Sequence, residues 1–86
     1  MDYSTARSII EEGAKYYDNF RNGYTGMTGF EKWFKERVAN ADSEEKVLLN
    51  QAQAILSNRN SNPSTRIFGF NNSLIEEILR ENGFNQ

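Results

Sequence analysis

Ser73-Leu74-Ile75-Glu76-Glu77-Ile78-Leu79-Arg80-Glu81-Asn82-Gly83-Phe84 reads as one helix from start to stop. Ser73 followed three positions later by Glu76 has the form of a capping box. The first side chain accepts from a free N–H of the opening turn, and the Glu reaches back to the N–H of the cap. Leu74, Ile75, Ile78 and Leu79 recur at helical spacing and mark the inward face. Gly83 suits the left-handed residue that ends a helix, and Phe84 just beyond it is placed to meet Leu79 in a Schellman motif. The predicted helix covers Asn72–Glu81.

The same punctuation recurs upstream. Thr28-Gly29-Phe30-Glu31 and Asp42-Ser43-Glu44-Glu45 are two further start boxes, and Asn22-Gly23 is a second stop. These signals predict a helix from Ser4 to Asn22, one from Thr28 to Ala41 and one from Asp42 or Ser43 to Asn58. In the first, Ala6, Ile9, Ile10, Gly13, Ala14, Tyr16, Tyr17, Phe20 and Tyr24 share a side. Gly13 inside that stripe costs up to about 1 kcal/mol against Ala, which points to close approach of another helix there. The second helix presents Phe30, Phe34, Val38 and Ala41, with Trp33 and Arg37 on the edge of the stripe. The third presents Leu48, Leu49, Ala52, Ile55 and Leu56, with Val47 and Ala54 outside it. Ser57 to Arg66 reads as a long polar loop holding the only Pro, Pro63. Ile67-Phe68-Gly69-Phe70 has no second strand to pair with, so it is expected to be an extended plug whose Phe side chains enter the core. The expected fold is all-α: residues 1–86 form a single small bundle of about four short helices, with a long polar loop before the last.

The composition excludes several kinds of chemistry. The chain has no Cys and no His, so thiol and imidazole catalysis and nearly every zinc or haem site are ruled out. The carboxylate pairs Glu11-Glu12, Glu44-Glu45 and Glu76-Glu77 fall on solvent faces or first helical turns, where acids favour the helix dipole. An acid–base carboxylate needs partial burial to tune it. Gly23-Tyr24-Thr25-Gly26-Met27-Thr28-Gly29 lacks the ending of a phosphate loop, and Asp2, Asp18 and Asp42 are too scattered for a calcium loop. No catalytic residue, cofactor or metal is expected. Neither a signal peptide nor an apolar run of about 18 residues is evident, so the expectation is a cytoplasmic protein without membrane association.

Binding remains. The net charge is −2, but no Asp or Glu lies between Glu45 and Glu76, a stretch carrying Lys46, Arg59 and Arg66. Helix-turn-helix binding is disfavoured, because the helices that would enter the groove open with Glu44-Glu45 and Glu76-Glu77, which repel phosphate. Trp33 and Arg37 are spaced for a cation–π pair, and Tyr16 and Tyr17 point about 100° apart and so are not both buried. Trp, Tyr and Arg are the residue types enriched at interface hot spots. The leading expectation is a non-enzymatic protein-binding module, an adaptor or inhibitor, contacting its partner through Trp33, Arg37 and Tyr16. The alternative is an anion or nucleic-acid contact through the loop bearing Arg59 and Arg66, with strong salt dependence. A homodimer through the Val47 and Ala54 side of the third helix is also compatible with the sequence. Small acidic proteins of this size are used by phages and other mobile elements to block host machines, an analogy of scale with no motif behind it.

Overall fold

Four helices carry the chain in the computed structural model, which describes residues 1–17 and 27–85. They are α1 (Tyr3–Ala14), α2 (Met27–Val38), α3 (Ser43–Asn60) and α4 (Asn72–Glu81). A 3₁₀ turn at Pro63–Thr65 lies between α3 and α4, and no strand occurs among the described residues. The fold is therefore the small all-α bundle that the spacing implies. α1 packs on all three other helices, α2 on α3, and α3 on α4. Ile10, Phe30, Leu48, Leu49, Leu56, Ile78 and Leu79 are the large, fully buried side chains at their junction.

The last helix is the one predicted, residue for residue. Gly83 sits at φ 81°. The Phe84 N–H donates to the Leu79 carbonyl at 2.8 Å and the Gly83 N–H to Arg80 at 2.9 Å, the paired bonds of a Schellman stop. Its start differs from the reading. Asn71, not Ser73, is the cap, its Oδ1 accepting from the Leu74 N–H at 3.1 Å. Glu76 is drawn away to α1. It accepts from the Tyr3 hydroxyl at 2.5 Å and from Arg7, whose other terminal nitrogen donates to Asn72 Oδ1 at 2.9 Å. Asp42 does cap α3, accepting from the Glu45 N–H at 2.9 Å, yet Glu45 also serves another helix rather than closing the box. Thr28 lies inside α2, which already begins at Met27. Asp2, which the reading passed over, caps α1 by accepting from the Thr5 N–H.

α1 is shorter than predicted. Its bonds contract beyond Ala14, with the Tyr16 N–H reaching Gly13 at 3.0 Å and the Tyr17 N–H reaching Ala14 at 3.2 Å, a 3₁₀-type tightening. The cause is α2. A Cβ on Gly29 would collide with the Tyr16 carbonyl oxygen, and a Cβ on Gly13 would lie 2.5 Å from Trp33 Cζ3. Gly13 meets the Trp33 ring and Gly29 meets the backbone just past α1, the close approach implied by Gly13. Phe20, Asn22-Gly23 and Tyr24 fall outside the described residues. Tyr17 is buried and Tyr16 half-exposed, so the adjacent tyrosines divide as their angular separation requires.

The polar loop is shorter and more ordered than its composition implies, because α3 runs on to Asn60. Asn60 Oδ1 accepts from the Ile67 N–H at 2.8 Å, and its amide donates to the Tyr17 hydroxyl, which itself donates to the Ile67 carbonyl at 2.9 Å. Burial pushes the Tyr17 hydroxyl pKa up, keeping it a donor. This closed triangle holds the segment after α3 against α1. Ile67 enters the core and Phe70 packs on Phe30 and Tyr17. Phe68, expected to enter as well, is 59% exposed. Successive side chains of an extended segment alternate sides, so Ile67 and Phe68 do not share one.

Gly13→Ala is expected to destabilise the fold by about 1–3 kcal/mol in urea titrations, the overpacking cost outweighing the gain in helix propensity. The Tyr3 hydrogen bond to Glu76, opposed by partial desolvation and joined by the Arg7 charge, holds the Glu76 carboxyl below its ordinary value. A depressed folded-state pKa stabilises above the unfolded-state value of about 4.3 and is lost as pH falls through the folded one. Glu76→Gln should therefore lower the urea midpoint at neutral pH, and its deficit should shrink on acidification below about pH 4.3. A deficit constant with pH would contradict this assignment.

Candidate functional site

Arg37 reaches out from the last turn of α2, and two carboxylates from other helices claim it. Its Nη1 donates to Glu12 Oε2 on α1 at 2.7 Å, and its Nε donates to Glu45 Oε2 on α3 at 2.9 Å. The Glu45 hydrogen bond, with the charges of both carboxylates, raises the guanidinium pKa further. Glu12 Oε2 also accepts from the Trp33 indole N–H at 3.0 Å. One carboxylate oxygen thus ties the aromatic ring and the cation together. No cation–π contact forms between Trp33 and Arg37. Arg37 acts as a three-helix tie, with about a third of its side chain exposed.

Trp33 is only 7% exposed, more buried than the stripe edge implies. Its ring lies in the slot left by Gly13 and tilts against Phe30, with centroids 5.4 Å apart. Tyr16 covers its outer side, stacked at 6.5 Å and 17°, and is itself 52% exposed. Of the three proposed contact residues, the structure brings Tyr16 and Trp33 together and leaves Tyr16 to present the surface. Tyr16, Trp33, Gly29, Lys32 and Glu36 line a shallow cavity of 250 Å³. Lys32 and Glu36, one turn apart on α2, give its rim both signs of charge.

Arg59 and Arg66, the alternative pair, also come together. They line one cavity of 360 Å³ between the end of α3 and the start of α4, with Phe68, Asn71, Ser73 and Glu77. Arg59 Nη1 donates to Glu77 Oε1 at 3.2 Å. Arg66 makes no hydrogen bond or ion pair among the described residues, and its Nε is buried without an acceptor.

Sequence reading missed Glu12 and Glu45 as partners of Arg37, and Ser73 and Glu77 as neighbours of Arg66. Glu12 falls on the polar side of α1 in any helical projection, and only the crossing of α2 brings it a partner. Gly29 was the available signal, since a second glycine inside a helix marks where the crossing lies.

Among the described residues no three acidic side chains converge to hold a metal ion, and no helix is long and apolar enough to cross a membrane. Comparison with protein-family models, curated proteins and solved structures finds no match for this chain.

Arg37→Ala should leave Glu12 and Glu45 without their cation and destabilise the fold by about 1–2 kcal/mol, between the range for exposed pairs and that for hydrogen bonds to charged groups. The Trp33 fluorescence of the folded variant should shift as the indole loses its oriented acceptor. An unchanged urea midpoint would show the tie to be energetically idle.

Proposed function

We propose that the chain is a small non-enzymatic binding module that docks on a larger protein through the face carrying Tyr16. The observation that supports this reading is the stack of a half-exposed Tyr16 on a buried, hydrogen-bonded Trp33. A large aromatic held in place from beneath loses little conformational freedom on binding, and tyrosine is among the side chains that dominate interface energetics. The cavity beside it offers a partner side chain an apolar floor, formed by Trp33 and Gly29, with Lys32 and Glu36 at the rim. Trp33 and Arg37 enter this reading as supports of the contact residue, because their polar groups already serve Glu12 and Glu45. A chain with no Cys and no His also lacks the side chains on which most nucleophilic and general-base catalysis depends. An adaptor or inhibitor acts by occupying a surface and needs neither.

The test begins with affinity capture from the native source in the presence of nuclease, followed by titration of the purified partner. Tyr16→Ala is expected to weaken binding about tenfold or more, with circular dichroism unchanged. Binding should vary little between about 50 and 200 mM salt, whereas phosphate-backbone contact would collapse over that range. Capture that vanishes with nuclease, or a partner indifferent to Tyr16→Ala, would overturn the reading.

A further inference from the structure

The second cavity has a different chemistry. Its backbone is fixed on both sides of Arg66. The Thr65 hydroxyl donates to the Arg59 carbonyl at 2.8 Å, and Ile67 is held through its N–H by Asn60 and through its carbonyl by Tyr17. Arg66 leaves this clamp in an extended conformation, φ −57° and ψ 138°. Its side chain lines the cavity while its Nε is shut off from solvent with no protein acceptor. A buried donor without a partner is destabilising, and more so when charged. The cavity is where an acceptor can reach the rest of this guanidinium.

Three further features of the wall favour an anion. Arg59 is the second cation, and its bond to Glu77 joins two side chains each about one-third exposed. Such a pair contributes little to stability, so Arg59 can be redirected to a ligand at small cost. The wall also includes Asn71 and Ser73 at the start of α4, a ten-residue helix. Asn71 takes the Leu74 N–H, while the N–H groups of the two residues before it have no partner inside the helix and lie at its positive end. The Ser73 hydroxyl adds another donor. At 360 Å³ the cavity admits far more than one water, whose share of liquid volume is about 30 Å³.

We propose that this cavity binds a single phosphate group, with Arg66 as its principal cation and Arg59, Ser73 and the first turn of α4 as the other donors. Donors drawn from three segments, the end of α3, the residue before Ile67 and the start of α4, suit a group with several acceptor oxygens such as phosphate. A terminal phosphate is favoured over a nucleic-acid backbone because a polymer needs a track of cations. Lys46 stands thirteen residues before Arg59 on α3, about 20 Å away at helical rise. Arg7 and Arg37 are held by carboxylates of other helices.

Titration of the full chain with inorganic phosphate and with a nucleoside monophosphate, followed by calorimetry and by the Arg66 Nε–H resonance, tests the site. Both ligands should bind and shift that resonance. Equal affinities identify free phosphate as sufficient, and tighter binding of the monoester shows that the attached group also finds contacts, either result supporting the site. Arg66→Gln should weaken binding about tenfold or more, and Arg59→Gln by less. Glu77→Gln should tighten it severalfold by removing the competing carboxylate. Arg80→Gln, on α4 but outside the cavity wall, should change nothing, and circular dichroism establishes that each variant is folded. Absence of binding at about 20 mM phosphate, a weak-affinity limit of about −2.3 kcal/mol, would overturn the proposal. So would Arg66→Gln binding as well as the parent chain, or an unphosphorylated oligonucleotide displacing phosphate with a steep salt dependence.

Discussion

The absence of a side chain at Gly13 is the constraint on which the rest of this fold depends. It opens a slot in α1 that the Trp33 ring fills from α2, with Phe30 beside it. Gly29 returns the accommodation on α2, admitting the Tyr16 carbonyl just past the end of α1. Each glycine costs about 1 kcal/mol of helix propensity. Burying an indole removes on the order of 150–250 Å² from water, about 4–6 kcal/mol at 25 cal/mol/Å², so the exchange favours the crossing. Once the ring is seated its N–H has one direction to point, and Glu12 is there. Glu12 then fixes Arg37, and Arg37 fixes Glu45 on α3. A packing choice at one residue thereby sets the relative placement of three helices and leaves Tyr16 stacked on the outside.

What was legible in the sequence divides along a physical line. The inward face and the stop of α4 were readable because their signals are local: the apolar spacing of Leu74, Ile75, Ile78 and Leu79, and a stop whose bonds join residues five apart or fewer. The Asp42 cap was readable for the same reason. The boxes at Thr28 and Ser73 misled because the pattern is degenerate. Asn71 lies two residues ahead of Ser73 and caps the helix from there. The Glu at the third position gains more from Arg7 and Tyr3 on α1 than from a backbone N–H near its own helix start. Trp33 was placed at an edge because periodicity sees one helix at a time. Its burial depends on Gly13, twenty residues away on another helix. The Asn60, Tyr17 and Ile67 triangle joins residues up to 50 positions apart, and no local pattern announces such a bond.

The two candidate sites inherit this difference. At the aromatic face, side-chain type marked Tyr16, Trp33 and Arg37, but burial and hydrogen bonding decided which of them meets solvent. At the cationic cavity, the acid-free stretch was visible as composition, while the convergence of Arg59 with Arg66 required the turn at Pro63–Thr65 to fold the chain back.

The carboxylates connect these two outcomes. Glu12, Glu45 and Glu76 each neutralise an arginine on another helix, Glu45 and Glu76 in place of closing a capping box. That leaves Arg7 and Arg37 neutralised, while Arg66 has no carboxylate partner among the described residues. No acid lies between Glu45 and Glu76, so the nearest carboxylate in sequence to Arg66 is ten residues away, and Glu77, which does share its cavity, is occupied with Arg59. A single acidic side chain in the preceding loop would relieve the buried Nε. The fold satisfies its other buried side-chain donors among the described residues, and the one it leaves unsatisfied belongs to a guanidinium whose side chain lines a cavity. Marginal stability tolerates about 1–3 kcal/mol of such local cost when it is confined to a rigid, well-anchored segment, and the bonds flanking Arg66 at Thr65 and Ile67 provide that anchoring.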